Sequence, residues 1–432
     1  MISRLLSAAA VLALVGGPVM AQEASSVPPN LVLNTMFTVF AAILVMWMAA
    51  GFTMLETGFV RATSVAMQCA KNIGLFAVAS TCFYFLGYSL MFPEGSWIVP
   101  GIFGTSGLVS LATGETAADG KLATGANVFY QMMFCAATAS IVSGALAERL
   151  RLVPFLVFTA VLTAVIYPIQ ASWVWGGGFL SSMFGFYDLA GGTVVHVVGG
   201  AAALAGVYVV GSREGRFRDG MAMPMPGSNL PLATLGAIIL WMGWFGFTAG
   251  SHISFATEAD AASVSRILVN TNLAAAGGVL AAMVASYMKF RQIDLTFLIN
   301  GALAGLVAIT AGPLFPAPYL AFLIGAVGGI IVVLSVPLLD RLKIDDVVGA
   351  IPVHLFCGVW GTIAVLLSNP DATWFGQLAS IGIILGFVLI ASLIVWTVLS
   401  KVMSLRVSED SERNGIDLNE LGQEGYPEFA AN

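Results

Sequence analysis

Two of the three histidines stand in one repeated frame: Gly191-x-x-x-Val195-His196-x-x-x-Gly200 recurs 158 residues later as Gly349-x-x-x-Val353-His354-x-x-x-Gly358. Each histidine lies within an apolar run of membrane-spanning length, where an ionisable side chain is a functional candidate. Two imidazoles at equivalent positions of a duplicated plan could share one site near the bilayer midplane. Neutral rings would offer N–H donors and bare nitrogen acceptors to each other and to a small polar solute. The competing chemistry is a metal site. Cys357 follows His354 by one helical turn, but His196 has no such companion and no carboxylate lies one turn from either ring, so no metal is assigned. Asp188 stands just before the first histidine run. It could cap the start of a helix through backbone N–H groups, or present a carboxylate that attracts a cation. Nothing pairs a nucleophile with a base, so enzymatic use of the histidines finds no support.

These residues need a membrane scaffold. The chain has 432 residues, of which 58% are hydrophobic and 9% charged, and its mean hydropathy is +0.93. That balance belongs to a polytopic membrane protein and gives no reason to expect a nucleic-acid partner. Residues 1–21, with Arg4, an apolar run and the small exit Val19-Met20-Ala21, read as a cleaved signal peptide. Apolar runs then place spans near 31–56, 72–92, 126–146, 152–172, 194–211, 231–250, 261–288, 295–313, 318–338, 347–367 and 375–403, eleven in all. Starting from an outside N-terminus, 14 Lys and Arg, Lys71 among them, fall on the cytoplasmic side and only Lys121 and Arg266 outside. That asymmetry follows the positive-inside rule. The expected fold is therefore an all-α membrane protein with eleven transmembrane helices over 22–403, and a cytoplasmic tail over 404–432. Spans 1–5 and 6–10, five helices each, would form an inverted repeat. Gly51-Phe52-Thr53 and Gly246-Phe247-Thr248 recur in spans 1 and 6. The four cysteines lie in or beside apolar runs with no paired spacing, so they are assigned no disulfide.

Several longer stretches carry a family likeness: WGGG at Trp175–Gly178, DLAGGTVVH at Asp188–His196, GALAERLR at Gly144–Arg151, WFGFTAGS at Trp244–Ser251, DDVVGAIPVH at Asp345–His354 and the tail GIDLNELGQEGY. Together they resemble the ammonium transporter (Amt/Mep/Rh) family, in its bacterial ammonium channel branch, over almost the whole mature chain. The resemblance implies a homotrimer in the inner membrane with a pore in each subunit and no cofactor. It implies an outer recruitment site for ammonium, with methylammonium as a possible second substrate, made of Phe134, Trp175 and Ser251. A gate of Phe134 and Phe247 would lie below it, and His196 and His354 would line the conduit. Asp188 would be the family's structural or deprotonating acid, and a PII-type signal protein would be the partner at the cytoplasmic face. Trp175 and Ser251 point away from the Rh branch. The alternative is an ammonium sensor of the same fold that signals through its tail. The chain departs from the family pattern at His252, at Arg266 and at Leu421, where the family usually has histidine. Acids at Glu409, Asp410, Glu412, Asp417 and Glu420 are expected to latch the tail onto the basic loops around Arg213–Arg218 and Arg341–Lys343.

Overall fold

The computed structural model describes residues 29–112, 114–117 and 120–429. The signal-peptide assignment lies outside these residues. Each of the eleven apolar runs is helical: α1 (Pro29–Phe59), α2 (Ala62–Met91), α3 (Thr124–Ala145), α4 (152–174), α5 (Gly192–Val210), α6 (Leu230–Gly250), α7 (Glu258–Phe290), α8 (Leu295–Thr310), α9 (Pro318–Arg341), α10 (Ile351–Leu367) and α11 (Trp374–Val402). Among the described residues nine helices are long and apolar enough to cross a bilayer alone, while α8 and α10 are shorter. Among the described residues strand is confined to two hairpins, Trp97–Val99 with Phe103–Gly104 and Phe217–Arg218 with Met221–Ala222.

The axis of the bundle is the contact between α1 and α6, the first helices of the two halves. Hydrocarbon gives little drive for helices to associate, so close approach of backbones must supply the packing. Glycine makes that approach possible. A Cβ at Gly236 on α6 would collide with the Leu55 backbone nitrogen on α1, and one at Gly325 on α9 with the Ala274 carbonyl on α7. Helix α11, which has no counterpart in the repeat, lies against α4 and α5 and is held by Trp396 stacked on Phe158 at 4.0 Å.

The two histidine helices show the duplication most directly. Both start from a glycine in the left-handed region, Gly191 at φ +98° and Gly349 at φ +79°. Both then open with a wide π-type turn, Gly192–Val197 and Ile351–Phe356. Wide turns of this kind are uncommon and concentrate at functional positions. Here they carry the imidazoles.

Lys71 departs from the sequence expectation. Charge counting placed it outside the second span, yet α2 begins at Ala62, and Lys71 lies inside the bundle with 1% of its surface exposed. Its ammonium donates to Gln68 and to the Ser143 carbonyl, so an apolar-run reading stopped the helix at a charge that the fold internalises. Arg266 lies in α7 as expected and its side chain is exposed.

The basic end of the bundle is tied by a buried ionic cluster. Arg213 grips Asp345 with Nε at 2.8 Å and Nη2 at 2.9 Å, and reaches Glu148 at 3.1 Å. Arg61 takes the same Glu148 at 2.7 Å, while Arg149 is spent on the carbonyls of Ala145, Ala147, Gly211 and Asp345. Burial alone would raise the Asp345 carboxyl, but hydrogen bonds and charge from Arg213 outweigh it and hold the group well below its usual range. Burial has the upper hand at Arg149, lowering its guanidinium to about 10 despite Asp345.

This cluster occupies two of the five basic residues that the tail was expected to meet, Arg213 and Arg216. Arg216 pairs with Asp340 and Asp345. The tail docks by other means: Asp417 accepts from the N–H groups of Ala66 and Met67 at the start of α2, Glu412 receives Arg406 and the Glu214 N–H, and Glu420 pairs with Arg151. Removing one partner of a buried ion pair strands the other, a loss of about 3–5 kcal/mol, whereas an exposed pair is worth ~0–1 kcal/mol. Asp345→Ala should therefore sharply lower the melting temperature and the yield of folded protein in detergent. Glu420→Ala, which frees the half-exposed Arg151, should leave both near wild type. Equal effects in a thermal size-exclusion assay would refute this ranking.

Candidate functional site

Asp188 is the first determinant of the site. Its Oδ1 accepts from the N–H groups of Gly191 (2.9 Å) and Gly192 (2.7 Å), and its Oδ2 from Thr193 (2.7 Å) and Val194 (2.9 Å). One buried carboxylate thus takes up four N–H groups that a helix start leaves without partners. Burial pushes this carboxyl up and the four donors pull it back. Its backbone carbonyl accepts from Trp175 Nε1 at 2.9 Å, which joins the helix start to the aromatic rim above it. The carboxylate itself is not among the groups lining the cavity at that rim.

Asp346 has the equivalent place in the second half, and the sequence reading missed it. It accepts from Gly349 at 3.1 Å and Ile351 at 2.7 Å, and burial raises it to about 6 against those bonds. The signal was available, because Asp188 and Asp346 have the same 158-residue offset as the histidines. The two caps open toward opposite ends of the bundle: Asp346 borders a cavity of about 340 Å³ with Arg213 and Arg216, and Trp175 borders one of about 350 Å³ at the other end.

That second cavity contains Tyr130, Phe134, Trp175 and Ser251, so the three residues assigned to recruitment share one chamber. Trp175 meets the edge of Phe134 at 6.0 Å. The Ser251 hydroxyl donates to the Phe247 carbonyl at 2.9 Å and lies 3.2 Å from the Tyr130 hydroxyl, which itself donates to that carbonyl at 3.0 Å. Tyr130 also escaped the sequence reading. It lies one turn before Phe134 on α3, on the same helix face, which is the pattern that could have found it. His252 turns out of the chamber, and its Nε2 lies 3.2 Å from Asp260 Oδ1.

Below the chamber the side chains form a single file. Phe134 and Phe247 are stacked at 3.9 Å and 16°, both buried. Phe247 lies over His196 at 5.5 Å, and the His196 ring also stacks on Trp244 at 5.0 Å, whose indole N–H is fixed to Thr310 Oγ1 at 2.8 Å. His196 Nδ1 and His354 Nδ1 are 3.1 Å apart. One Nδ1 must donate and the other accept, which leaves one ring with an Nε2–H and the other with a bare Nε2. His196 Nε2 is buried without a protein partner, free for something in transit. Cys357, weighed as a third metal ligand, directs its thiol to the Gly328 carbonyl. The described residues contain no group of three or more metal-binding side chains.

Comparison with known proteins follows this geometry. Residues 36–426 match the Ammonium Transporter Family. An "Ammonium transporter Amt2" from Archaeoglobus fulgidus is 39% identical over 93% of this chain and 90% of its own, and an "Ammonium transporter" from Bacillus subtilis is 31% identical over 91% and 98%. Among solved structures, one described as "Sensor Amt Protein" superposes with a TM-score of 0.83 at 32% identity, covering 91% of this chain and 99% of that one. Mep2 of Saccharomyces cerevisiae gives a TM-score of 0.78 at 28% identity, with 89% and 90% covered.

The cap at Asp188 generates a test. An unsatisfied buried donor costs about 1–3 kcal/mol, so Asp188→Ala, which strands four, should lose several kcal/mol and with it most folded protein. Asp188→Glu should keep part of the bonding and rank between alanine and wild type. A wild-type melting temperature in the alanine variant would remove Asp188 as the anchor of α5.

Proposed function

The chain belongs to the ammonium transporter family, a family of transporters rather than enzymes, and on that premise we propose that it recruits ammonium at Trp175, Phe134 and Ser251, strips a proton and passes ammonia through the Phe134–Phe247 gate and along His196 and His354. The observation that carries this reading is the single file itself: a polar aromatic chamber, a closed stacked pair and two mutually bonded imidazoles, in that order along one axis. Ring faces suit a small cation, at about 0.5–2 kcal/mol per contact. Taking the intact ion through the bilayer centre would cost at least several kcal/mol. Removing a proton whose pKa lies about two units above ambient pH costs roughly 3 kcal/mol. The split is the cheaper route, and potassium, with no proton to release, is left in the chamber.

The same reading extends to assembly and control. The basic end faces the cytoplasm of a cell whose inner membrane holds the protein, with the N-terminus on the other side. An apolar recess on the flank, lined by Phe37, Phe40, Leu44, Phe245 and Leu268, supports burial against a second copy in a homotrimer. A PII-type protein would dock beside the tail, whose Arg413 pairs with Glu214. Methylammonium would follow ammonium as a larger amine able to release a proton. The tail also keeps a sensor role in view, since a sensor Amt protein shares the fold; signalling without flux is the outcome that would favour it.

Proteoliposomes test the central reading. An ammonium pulse should give uptake and current in wild type, and His196→Ala with His354→Ala should reduce both at least tenfold with folded protein maintained. Unchanged uptake in the double variant would overturn the conduit role. Deletion from Asn414 onward should leave a folded pore with weakened capture of the cognate PII protein and altered uptake; capture and uptake both at wild-type level would exclude the tail from docking.

A further inference from the structure

The file of side chains continues past His354 toward the basic end. Phe52 on α1 lies 6.4 Å from the His354 ring, and Glu56 follows Phe52 by one helical turn on the same face. Glu56 has 1% of its surface exposed. Its Oε2 accepts from Gln68 Nε2, Asn72 Nδ2 (2.9 Å) and Ser143 Oγ (2.8 Å). Its Oε1 is buried and has no hydrogen-bond partner in the protein. Such an acceptor is costly to leave bare, by about 1–3 kcal/mol or more for a charged group.

The space beside it suggests what serves the bare oxygen. Glu56, His354, Phe52, Ser140 and Asn300 border a small cavity of about 10 Å³. That is near the room one water needs, roughly 10–15 Å³, and polar groups from four helices could hold it. Lys71 is the counter-charge. It does not touch the carboxylate directly but reaches it through Gln68, whose Oε1 accepts from the ammonium at 3.2 Å while its amide donates to Glu56, and through Ser143, whose carbonyl accepts from the same ammonium at 2.8 Å. Phe155 covers the ammonium at 4.7 Å. A purely structural role, locking α1, α2 and α3 together, accounts for Oε2 and Lys71. It leaves Oε1, next to the inner histidine, unexplained.

We propose that Glu56 is the proton-holding group at the inner end of the conduit, taking up through one water the proton released from ammonium and passing it to the basic end. The proposal rests on the transport reading given above and adds the carrier of the charge. In the step, an N–H bond of ammonium breaks and its electron pair stays on nitrogen, giving ammonia. Ammonia passes the Phe134–Phe247 pair and the proton crosses it separately, on a water that enters as the rings part; the proton goes to the bare nitrogen of the imidazole pair, the pair releases a different proton from its far Nε2 to the cavity water, and that water protonates Glu56 Oε1. The rings end neutral with their tautomers exchanged. While ionised, Glu56 balances Lys71. Once Glu56 is protonated, the ammonium of Lys71 is uncompensated, which favours departure of the proton to the aqueous phase. Proton and ammonia arrive separately on the same side, so each turnover moves one positive charge.

The test reads current and uptake together in proteoliposomes, with an internal pH dye. Glu56→Gln should lower the current per ammonia taken up at least tenfold, and the vesicle interior should alkalinise more than with wild type because ammonia enters without its proton. Glu56→Gln combined with Lys71→Met removes both charges, avoids a stranded ammonium and should show the same uncoupling. A structural role alone would change current and uptake in proportion to folded protein, and a current-to-uptake ratio within twofold of wild type in either variant would overturn the proposal. Uptake without current in wild type would overturn it as well, whereas neither uptake nor current in wild type would sink the transport reading instead. A wild-type measurement covers the case in which neither variant folds. Ammonium should induce the infrared C=O band of a buried carboxylic acid, and absence of that band would equally overturn the assignment.

Discussion

The structure depends on the cost of leaving a polar group unpaired in hydrocarbon, and the site is built where that cost is met in two equivalent places. Helix α5 begins in the bundle interior and α10 at the edge of the basic-end cavity, and the first N–H groups of both need acceptors that no preceding turn supplies. Asp188 and Asp346 supply the missing acceptors. Each cap also fixes a left-handed glycine, and the wide turn that follows determines where the imidazole points. Because the two halves run in opposite directions, the capped starts come from opposite ends and their first turns meet in the middle. The 3.1 Å contact between His196 and His354 is a consequence of that meeting.

Most of this was legible in the sequence. Among the described residues hydropathy located nine helices long and apolar enough to span, because an apolar run of about 20 residues is a direct consequence of bilayer thickness, and it also marked the two shorter ones, α8 and α10. The repeated frame located both histidines, the longer motifs contain Trp175, Phe247 and Ser251, and Phe134, outside every one of those stretches, came from the family resemblance alone. The misses share a physical origin. Tyr130, Trp244 and Asp346 act through spatial neighbours on other helices or through the backbone, and none advertises itself by residue type. Asp346 was hidden by Asp345 beside it, and only the 158-residue offset separates the cap from the ion-pair partner of Arg213.

Charge counting failed for partnership, for one reason. A tally by side treats each Lys or Arg as solvated, but Arg149, Arg213 and Lys71 are buried and each has its own set of acceptors. Lys71 was therefore placed outside a helix that contains it. The tail was expected to find free basic loops, and instead Arg213 and Arg216 of those loops spend their guanidinium groups on Glu148, Asp340 and Asp345. The tail seats largely by capping α2 through Asp417 and through Glu412, whose carboxylate accepts from the Glu214 N–H and whose backbone carbonyl accepts from Arg61. A docked segment of this kind is held by directional bonds more than by net charge, and salt should screen it weakly.

The order of groups along the axis gives these separate features one logic. At the Trp175 end the chamber offers ring faces and hydroxyls, which suit an intact cation. At the stacked phenylalanines polarity falls away, which on the proposed function would reject a charged species and admit a neutral one. Beyond them the imidazole pair restores donors and acceptors without fixed charge, and the Glu56–Lys71 cluster then brings fixed charge back in compensated form. A neutral solute needs only the middle of this series. On the proposed function the cation chamber at one end and the charged cluster at the other would matter only to a solute that changes protonation on the way, and it is their pairing, on either side of a neutral constriction, that would distinguish proton-splitting passage from simple diffusion of a gas.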